Sequence, residues 1–343
     1  MAIRLGPLLL RRRPVARGSG LLPSLTVVIP ARNEERNILA CLRSLPADSF
    51  PGLQIIVVDD RSADRTAELS RAVPGVEVIS APPAPEGWVG KAWACSQGAR
   101  HALGKYILFT DADVTLDAAA LREALVHALE AQAGLTSAIP YHLAPRAWED
   151  ALGFFHVLTF CVLAPFRTPT AKSGYATGQF LLFERACYDA IGGHRAVRSE
   201  VVEDVAFARL AAGAGARVVV LPWPRVFSVR LYETPGDFFR GWRRNCGEGF
   251  RSMRPLAFLE VLLVVSAVLP TSAVQMPIFL AALALAWAIM RRMGRFSLLS
   301  VACIPIAVLA FALISTAAAW DRALRRPVVW RGRSYRADRV RDV

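Results

Sequence analysis

Asp111-Ala112-Asp113 follows directly on the apolar run Tyr106-Ile107-Leu108-Phe109-Thr110. Two carboxylates one residue apart, at the end of a buried strand, offer hard oxygen ligands that can share a divalent cation with a phosphate. Open α/β sheets bind ligands where their strands end, so the position suits that chemistry. The same tripeptide is also ordinary turn chemistry closing a strand. Other acidic residues follow other expected strands: Glu34 the first, Asp60 the second, and Glu203-Asp204 further on. Carboxylates crowded on one sheet edge repel one another unless a cation or cationic ligand offsets them. Such an edge suits group transfer from a nucleotide diphosphate. A cation on Asp113 would neutralise the departing diphosphate, and a separate carboxylate would take the proton of the attacking hydroxyl. Asp204 is the candidate for that base. Its alternative is a first-turn carboxylate complementing a helix dipole.

These residues need a scaffold, and the hydrophobic spacing predicts one. Strands are expected at residues 25–29, stopped by Pro30, and at 54–58, 76–80 and 106–110. Helices are expected at 34–45, 64–73, 89–103 and 117–132. This alternation implies a parallel sheet with crossover helices. Residues 151–165 form a strongly apolar helix, short for a membrane span, that either lies in a core or on a membrane surface. Beyond it come a strand at 178–183, a helix at 185–191, a turn at Gly192-Gly193, a helix at 203–213 and a strand at 217–221.

The last third has a different character. Of 343 residues 54% are hydrophobic, and the excess lies past Leu256. Residues 256–290 carry only Glu260 as a charge before Arg291, with helix breakers at Pro270 and Pro277. One crossing needs about 20 residues, so this stretch suffices for a tight hairpin. A further apolar run at 296–320 is interrupted at Pro305. The expected plan is a basic segment at 1–24, disordered or interfacial, then an α/β domain at 25–250. Membrane helices follow within 251–320, at about 256–272, 274–290 and 296–320, and a basic tail at 321–343. Net charge is +13, almost all from arginine, since Lys91, Lys105 and Lys172 are the only lysines. The arginines flank the apolar segments, as in a protein held against anionic lipid. No basic stripe is interleaved with aromatics, so no nucleic acid partner is expected. Three crossings would put the tail outside, against the positive-inside bias, whereas a bend at Pro305 keeps it inside. Both topologies stay open, as does the oligomeric state. Six cysteines without a CxxC pair suggest reduced thiols in a cytosol-facing domain. Leu8-Leu9-Leu10 before Arg11-Arg12-Arg13 is too short for a signal sequence, with its charges on the wrong side. The five histidines are dispersed, and His194 is assigned to a turn rather than to chemistry.

Three motifs in order, Thr26-Val27-Val28-Ile29-Pro30-Ala31-Arg32-Asn33-Glu34-Glu35, Val57-Val58-Asp59-Asp60-Arg61-Ser62 and Asp111-Ala112-Asp113, resemble those of family 2 glycosyltransferases. Thr177-Gly178-Gln179-Phe180, Ile191-Gly192-Gly193-His194 and Glu203-Asp204 are similar to the acceptor-side half of the same family. Gly87-Trp88-Val89-Gly90-Lys91-Ala92-Trp93 and Trp330-Arg331-Gly332-Arg333-Ser334-Tyr335 resemble its lipid-directed branch, which acts on ceramide, hopanoids or carotenoids. The resemblance implies a GT-A fold (Rossmann-like α/β) followed by transmembrane helices. It also implies a nucleotide-sugar donor, most simply a UDP-sugar, a divalent Mg or Mn, and inversion at the anomeric carbon. Carried over by position, Pro30, Ala31, Arg32, Glu34 and Asp60 would line the nucleoside pocket and Lys91 would meet the nucleotide. Lys91 otherwise reads as a solvated lysine at a helix start. Asp111 and Ala112 would touch nucleotide or sugar, Asp113 with Asp111 would hold the metal, and Asp204 beside Glu203 would be the base. The family also carries a Gln/Arg-x-x-Arg-Trp motif. Arg240-Gly241-Trp242-Arg243-Arg244 matches it except that Arg244 replaces the final Trp. Arg240 and Arg243 would hold the departing diphosphate, or serve as a basic belt beside the membrane. The function implied is a multi-pass enzyme of the inner (plasma) membrane, its catalytic domain cytoplasmic, moving a sugar to a lipid such as a hopanoid or carotenoid. A processive polysaccharide synthase and a non-catalytic membrane assembly protein on the same fold are the alternatives.

Overall fold

The structure, a computed structural model, describes residue 7 and residues 22–45, 50, 52–163, 166, 169–172, 174–200, 202–223, 225–249, 263–266, 276–324, 328–330 and 333–335. The chain divides into two compact units. One comprises residues 10–141 and 165–230, the other residues 1–9, 142–164 and 231–343. Residues 142–164 and 231–249, read from sequence as part of a 25–250 domain, thus group with the C-terminal helices.

In the first unit β1 (Leu25–Ala31), β2 (Gln54–Asp59), β3 (Val76–Ser80) and β4 (Tyr106–Phe109) occupy the four expected strand positions. Between them run α1 (Ile38–Ser44), α2 (Thr66–Arg71) and α3 (Gly90–His101). Then come β5 (Val114–Leu116), α4 (Ala118–Glu130), β6 (Ala133–Ala138) and the two-residue β7 (Tyr141–His142). α5 (Ala147–Ala151) and α6 (Gly153–Leu163) belong to the second unit. The chain returns with β8 (Leu181–Glu184), α7 (Arg185–Ala190), α8 (Gly193–Ala196), α9 (Glu203–Gly213), β9 (Arg217–Leu221) and β10 (Phe227–Val229).

Seven strands form one sheet in the order β3-β2-β1-β4-β8-β6-β9. β1, β2, β3 and β4 pair in parallel, as do β6 and β9. The parallel pairing expected from the alternating first half holds for β1 to β4, whereas β8, past that half, is antiparallel to both β4 and β6. A helical crossover forces parallel pairing, but β8 follows an excursion through the second unit and is under no such constraint. β1 also runs on through Pro30. Its pairing with β4 ends at Val28↔Phe109, while pairing with β2 continues to Ala31↔Asp59. The missing N–H of Pro30 therefore falls on the side where no ladder bond is needed.

β1 is buried on both faces, with Val27, Val28 and Ile29 inaccessible, which explains its unbroken apolar run. Trp93, Phe109, Phe183 and Phe207 fill the core with Val28, Ile56 and Ile107. Each fully buried side chain of this size contributes roughly 1.5–3 kcal/mol. The strand order reverses between β1 and β4, both of which leave the sheet at their carboxyl ends. In an open α/β sheet that switch point is where ligands bind.

The second unit contains α5, α6, α10 (Pro235–Gly249), α11 (Met276–Met293), α12 (Leu298–Ala302) and α13 (Ile304–Ala323), with a short hairpin of β11 (Val328–Trp330) and β12 (Arg333–Tyr335). α6 is buried from Gly153 to Cys161, so the core reading holds for the apolar helix. The run at 296–320 is two helices, and Pro305 sits in the first turn of α13, where a missing N–H costs nothing. Ser297 starts α12: its Oγ accepts from Leu299 N at 3.1 Å, and Asp150 accepts from both Ser297 N and Oγ. Met276–Met293 and Ile304–Asp321 are long and apolar enough to cross a membrane. The basic segment through residue 21 apart from Pro7, most of the expected crossing at 256–272, Arg331-Gly332 and the tail from 336 lie outside the described residues.

Candidate active site

The loops leaving β1 and β2 are stitched to each other. Asn33 N donates to Ser62 Oγ at 3.0 Å, and Ala63 N donates to Asn33 Oδ1 at 2.8 Å. Glu34 N donates to Thr66 Oγ1 at 2.7 Å, and Asp60 N donates to Ala31 O at 2.8 Å. Asn33 and Arg61 both take left-handed backbone, φ 55° and 57°, a conformation that non-glycine residues adopt at a cost. The sharp turns that result bring Pro30, Ala31, Arg32, Glu34 and Asp60 to one edge of the sheet. Asp60 is buried and faces Arg32 at 3.2 Å and Arg61 at 3.6 Å. Glu34 is buried and accepts from Asn37 Nδ2 at 2.9 Å.

At the end of β4, Asp111 and Asp113 flank the buried Ala112. Cys41, on α1, lies beneath them, its Sγ 3.7 Å from Asp111 O. Its thiol is held far above the ordinary range by burial and then by the charges of Asp113, Asp111 and Glu34. Asp113, Asp111 and Glu34 thus all lie near enough to Cys41 for their charges to act on its thiol.

Lys91 joins this edge to the second acidic group. Its Nζ stands 2.7 Å from Asp111 Oδ1 and 2.9 Å from Glu203 Oε1, with Gly178 O at 3.5 Å. It is the second residue of α3, where a cation opposes the helix dipole. Burial pulls its pKa down, but Asp111 and Glu203 outweigh that and hold it well above the usual lysine value. The solvated-lysine reading is therefore corrected: the side chain is 18% exposed and doubly paired.

Glu203 and Asp204 begin α9. Asp204 Oδ2 accepts from Gly178 N at 2.8 Å and Oδ1 from Val205 N at 2.8 Å. Burial first, then the Glu203 charge, push its pKa up to about 7, against Lys91 and the two N–H donors. A carboxylate in that range is poised to take a proton near neutrality. Gly178 is a site residue that the strand-end argument did not single out. A Cβ there would lie 3.1 Å from Lys91 Nζ, 3.3 Å from Glu203 Oε1 and 3.4 Å from Asp204 Oδ2. Its place in Thr177-Gly178-Gln179-Phe180 was the available signal. Thr110 Oγ1 donates to Gln179 O at 2.8 Å, tying this loop to the end of β4.

Arg240 and Arg243 belong to the second unit, each on an acidic partner. Arg240 pairs with Asp237 at 2.7 Å, and Arg243 grips both oxygens of Asp321. His194 is buried, with Nδ1 2.8 Å from Tyr188 OH, in agreement with a turn role. All six cysteines are free thiols.

Among the described residues no group of three or more His, Cys, Asp and Glu side chains could hold a metal alone. Asp111 and Asp113 instead present two adjacent carboxylates. That donor set fits a Mg or Mn ion completed by substrate phosphates, since such ions commonly use one or two carboxylates plus phosphate oxygens.

Comparison with known proteins agrees with this geometry. The chain is 29% identical over 359 aligned positions to the 4,4'-diaponeurosporenoate glycosyltransferase of Staphylococcus aureus (strain USA300), covering 98% of this chain and 95% of that one. The enzyme of the same name from Staphylococcus haemolyticus (strain JCSC1435) is 29% identical over 333 positions, covering 91% and 88%. Among solved structures, mannosyltransferase PcManGT from Pyrobaculum calidifontis, in complex with GDP-Man and Mn2+, superposes with a TM-score of 0.56 at 23% identity, over 94% of each chain. The fold is of the GT-A kind. The sequence profile of Glycosyl transferase family 2 matches residues 26–205, and the chain belongs to that family.

Proposed function

We propose that this glycosyltransferase is membrane-anchored and inverting, and that it moves a sugar from a nucleotide-sugar donor, a UDP-sugar, to a lipid at the cytosolic face. The observation that carries the reading is the chain of contacts from Asp111 through Lys91 to Glu203, with Asp204 beside it. Donor-side and acceptor-side carboxylates share one site. Pro30, Ala31, Arg32, Glu34 and Asp60 line the nucleoside end, and Asp111 and Ala112 adjoin the sugar. Asp113 with Asp111 would hold the metal, which when bound neutralises the diphosphate leaving group. The acceptor oxygen attacks the anomeric carbon as the bond to the diphosphate breaks; where that oxygen is a hydroxyl, Asp204 takes its proton, and an ionised carboxyl acceptor has none to give up. Asp204 is held in place by two backbone N–H groups, so its orientation does not depend on the substrate.

A carotenoid acceptor is supported by the names of the staphylococcal relatives, and a hopanoid is the next choice. Two apolar helices fit an enzyme whose acceptor stays in a bilayer. Mass analysis of lipids from a carotenoid-producing host expressing the chain tests this. A species heavier by one sugar is expected with wild type and is lost with Asp113→Ala. A product that lengthens with time would instead mark a processive synthase, and no product from any lipid or donor would sink the enzymatic reading.

A further inference from the structure

Lys91 stands where a cation at Asp111 must be felt. Its Nζ takes Asp111 Oδ1 at 2.7 Å, and Glu203 at 2.9 Å fixes it from the other side. Asp204 adds a further carboxylate next to Glu203, accepting from Gly178 N, while Gly178 O accepts from Lys91 Nζ at 3.5 Å. The ammonium is largely shielded from water, so its field is weakly screened. A divalent ion approaching the Asp111–Asp113 pair meets a positive charge already resting on one of its two ligands. Like charges on one carboxylate oppose each other until a diphosphate brings enough negative charge to hold both. We propose that Lys91 makes metal binding conditional on the nucleotide: it weakens binding of the bare ion at Asp111 and Asp113, and the diphosphate lifts that penalty by accepting both cations. The proposal rests on the reading of this cleft as a metal–nucleotide site and adds the residue that couples the two ligands. By linkage the metal then tightens the nucleotide by the same factor that the nucleotide tightens the metal.

Titration of the full-length chain in detergent micelles with Mn2+, following the free ion by its EPR signal with and without UDP, reads the coupling without turnover. Wild type is expected to bind Mn2+ weakly alone and about tenfold or more tighter with UDP. Lys91→Met and Lys91→Gln, neutral variants of which the second keeps hydrogen-bonding capacity, should each bind Mn2+ alone about tenfold tighter than wild type. Their tightening by UDP should shrink correspondingly. Lys91→Arg, which keeps the charge, should behave as wild type and serves as the folding control. If both neutral variants match wild type with and without UDP, the coupling role falls while the metal–nucleotide site stands. If no protein binds Mn2+ even with UDP, the metal reading of the cleft falls and the coupling role with it.

Discussion

Asp204 and Lys91 are the two residues whose surroundings say most about chemistry. Burial and the Glu203 charge raise the Asp204 carboxyl to about 7, so the fraction able to accept a proton grows as pH rises toward that value. The rate limb governed by this group should therefore climb with pH, kcat/KM levelling off above about 7, and Asp204→Asn should abolish the limb. General-base contributions run to about 10²–10⁴-fold, so kcat should fall by that order while UDP binding by calorimetry persists. Loss of UDP binding together with activity would contradict the role. For stability the sign is opposite. The folded state holds a proton on Asp204 that the unfolded state has already released, so this group's contribution declines as pH rises from the ordinary aspartate value of 3.8 to about 7. Asp111, Asp113 and Glu203-Asp204 were legible in sequence because acidic residues after apolar strands stand out. The pairing of Lys91 was not, since its partners come from the loop after β4 and from α9, and no local pattern records a contact between distant stretches.

At the level of elements, patterning found nearly every strand and helix whose apolar residues repeat regularly. It missed β6, whose residues Ala133–Ala138 include one β-branched side chain yet are all buried. Pairing with β8 and β9 makes that segment a strand, and tertiary context outweighs propensity there. It also missed what α6 carries. His156 stacks on His142 with ring centroids 3.9 Å apart, within a cluster of Phe155, Phe238, Trp242 and Phe296. Burial holds His142 down to about 3, and burial with the neighbouring His142 holds His156 well below its ordinary value. In the unfolded chain both take up protons below about 6.5, whereas the folded unit resists, so stability is lost as pH falls from there. His142 should contribute about 1.4 kcal/mol per pH unit in the part of that window well below 6.5, and His156 acts in the same direction. Denaturation followed by tryptophan fluorescence between pH 6 and 4 is expected to show this slope, and His142→Gln should reduce it by about one histidine's share. An unchanged slope would mean that the pair is hydrated and titrates normally.

For the whole molecule the decisive property is where its apolar surface goes. α11 and α13 expose Ile278, Leu280, Ile306, Leu309 and Leu313, while arginines cluster at 291–295. Large aliphatic side chains left uncovered on helices of this length fit lipid better than water, and flanking arginines fit anionic headgroups. Arg243 and Asp321 reinforce the arrangement within the second unit. An acid at the C-terminal end of α13 is disfavoured by the helix dipole, and the forked pair with Arg243 offsets it. If α13 spans a bilayer, Leu313, 55% exposed and near its midpoint, lies at the most expensive depth for a charge. Insertion scales give arginine at such a position a cost of about 2.5–3.5 kcal/mol, where an aliphatic residue is slightly favourable. Leu313→Arg should therefore shift protein from the carbonate-resistant membrane fraction to the soluble or aggregated fraction, whereas Leu313→Ala should leave it membrane-bound. Arginine at Leu103, 83% exposed in the first unit, should have no such effect. Equal partitioning of Leu313→Arg and wild type would show that α13 does not cross a membrane, and would leave the first unit's chemistry intact while removing the support for a bilayer-held acceptor.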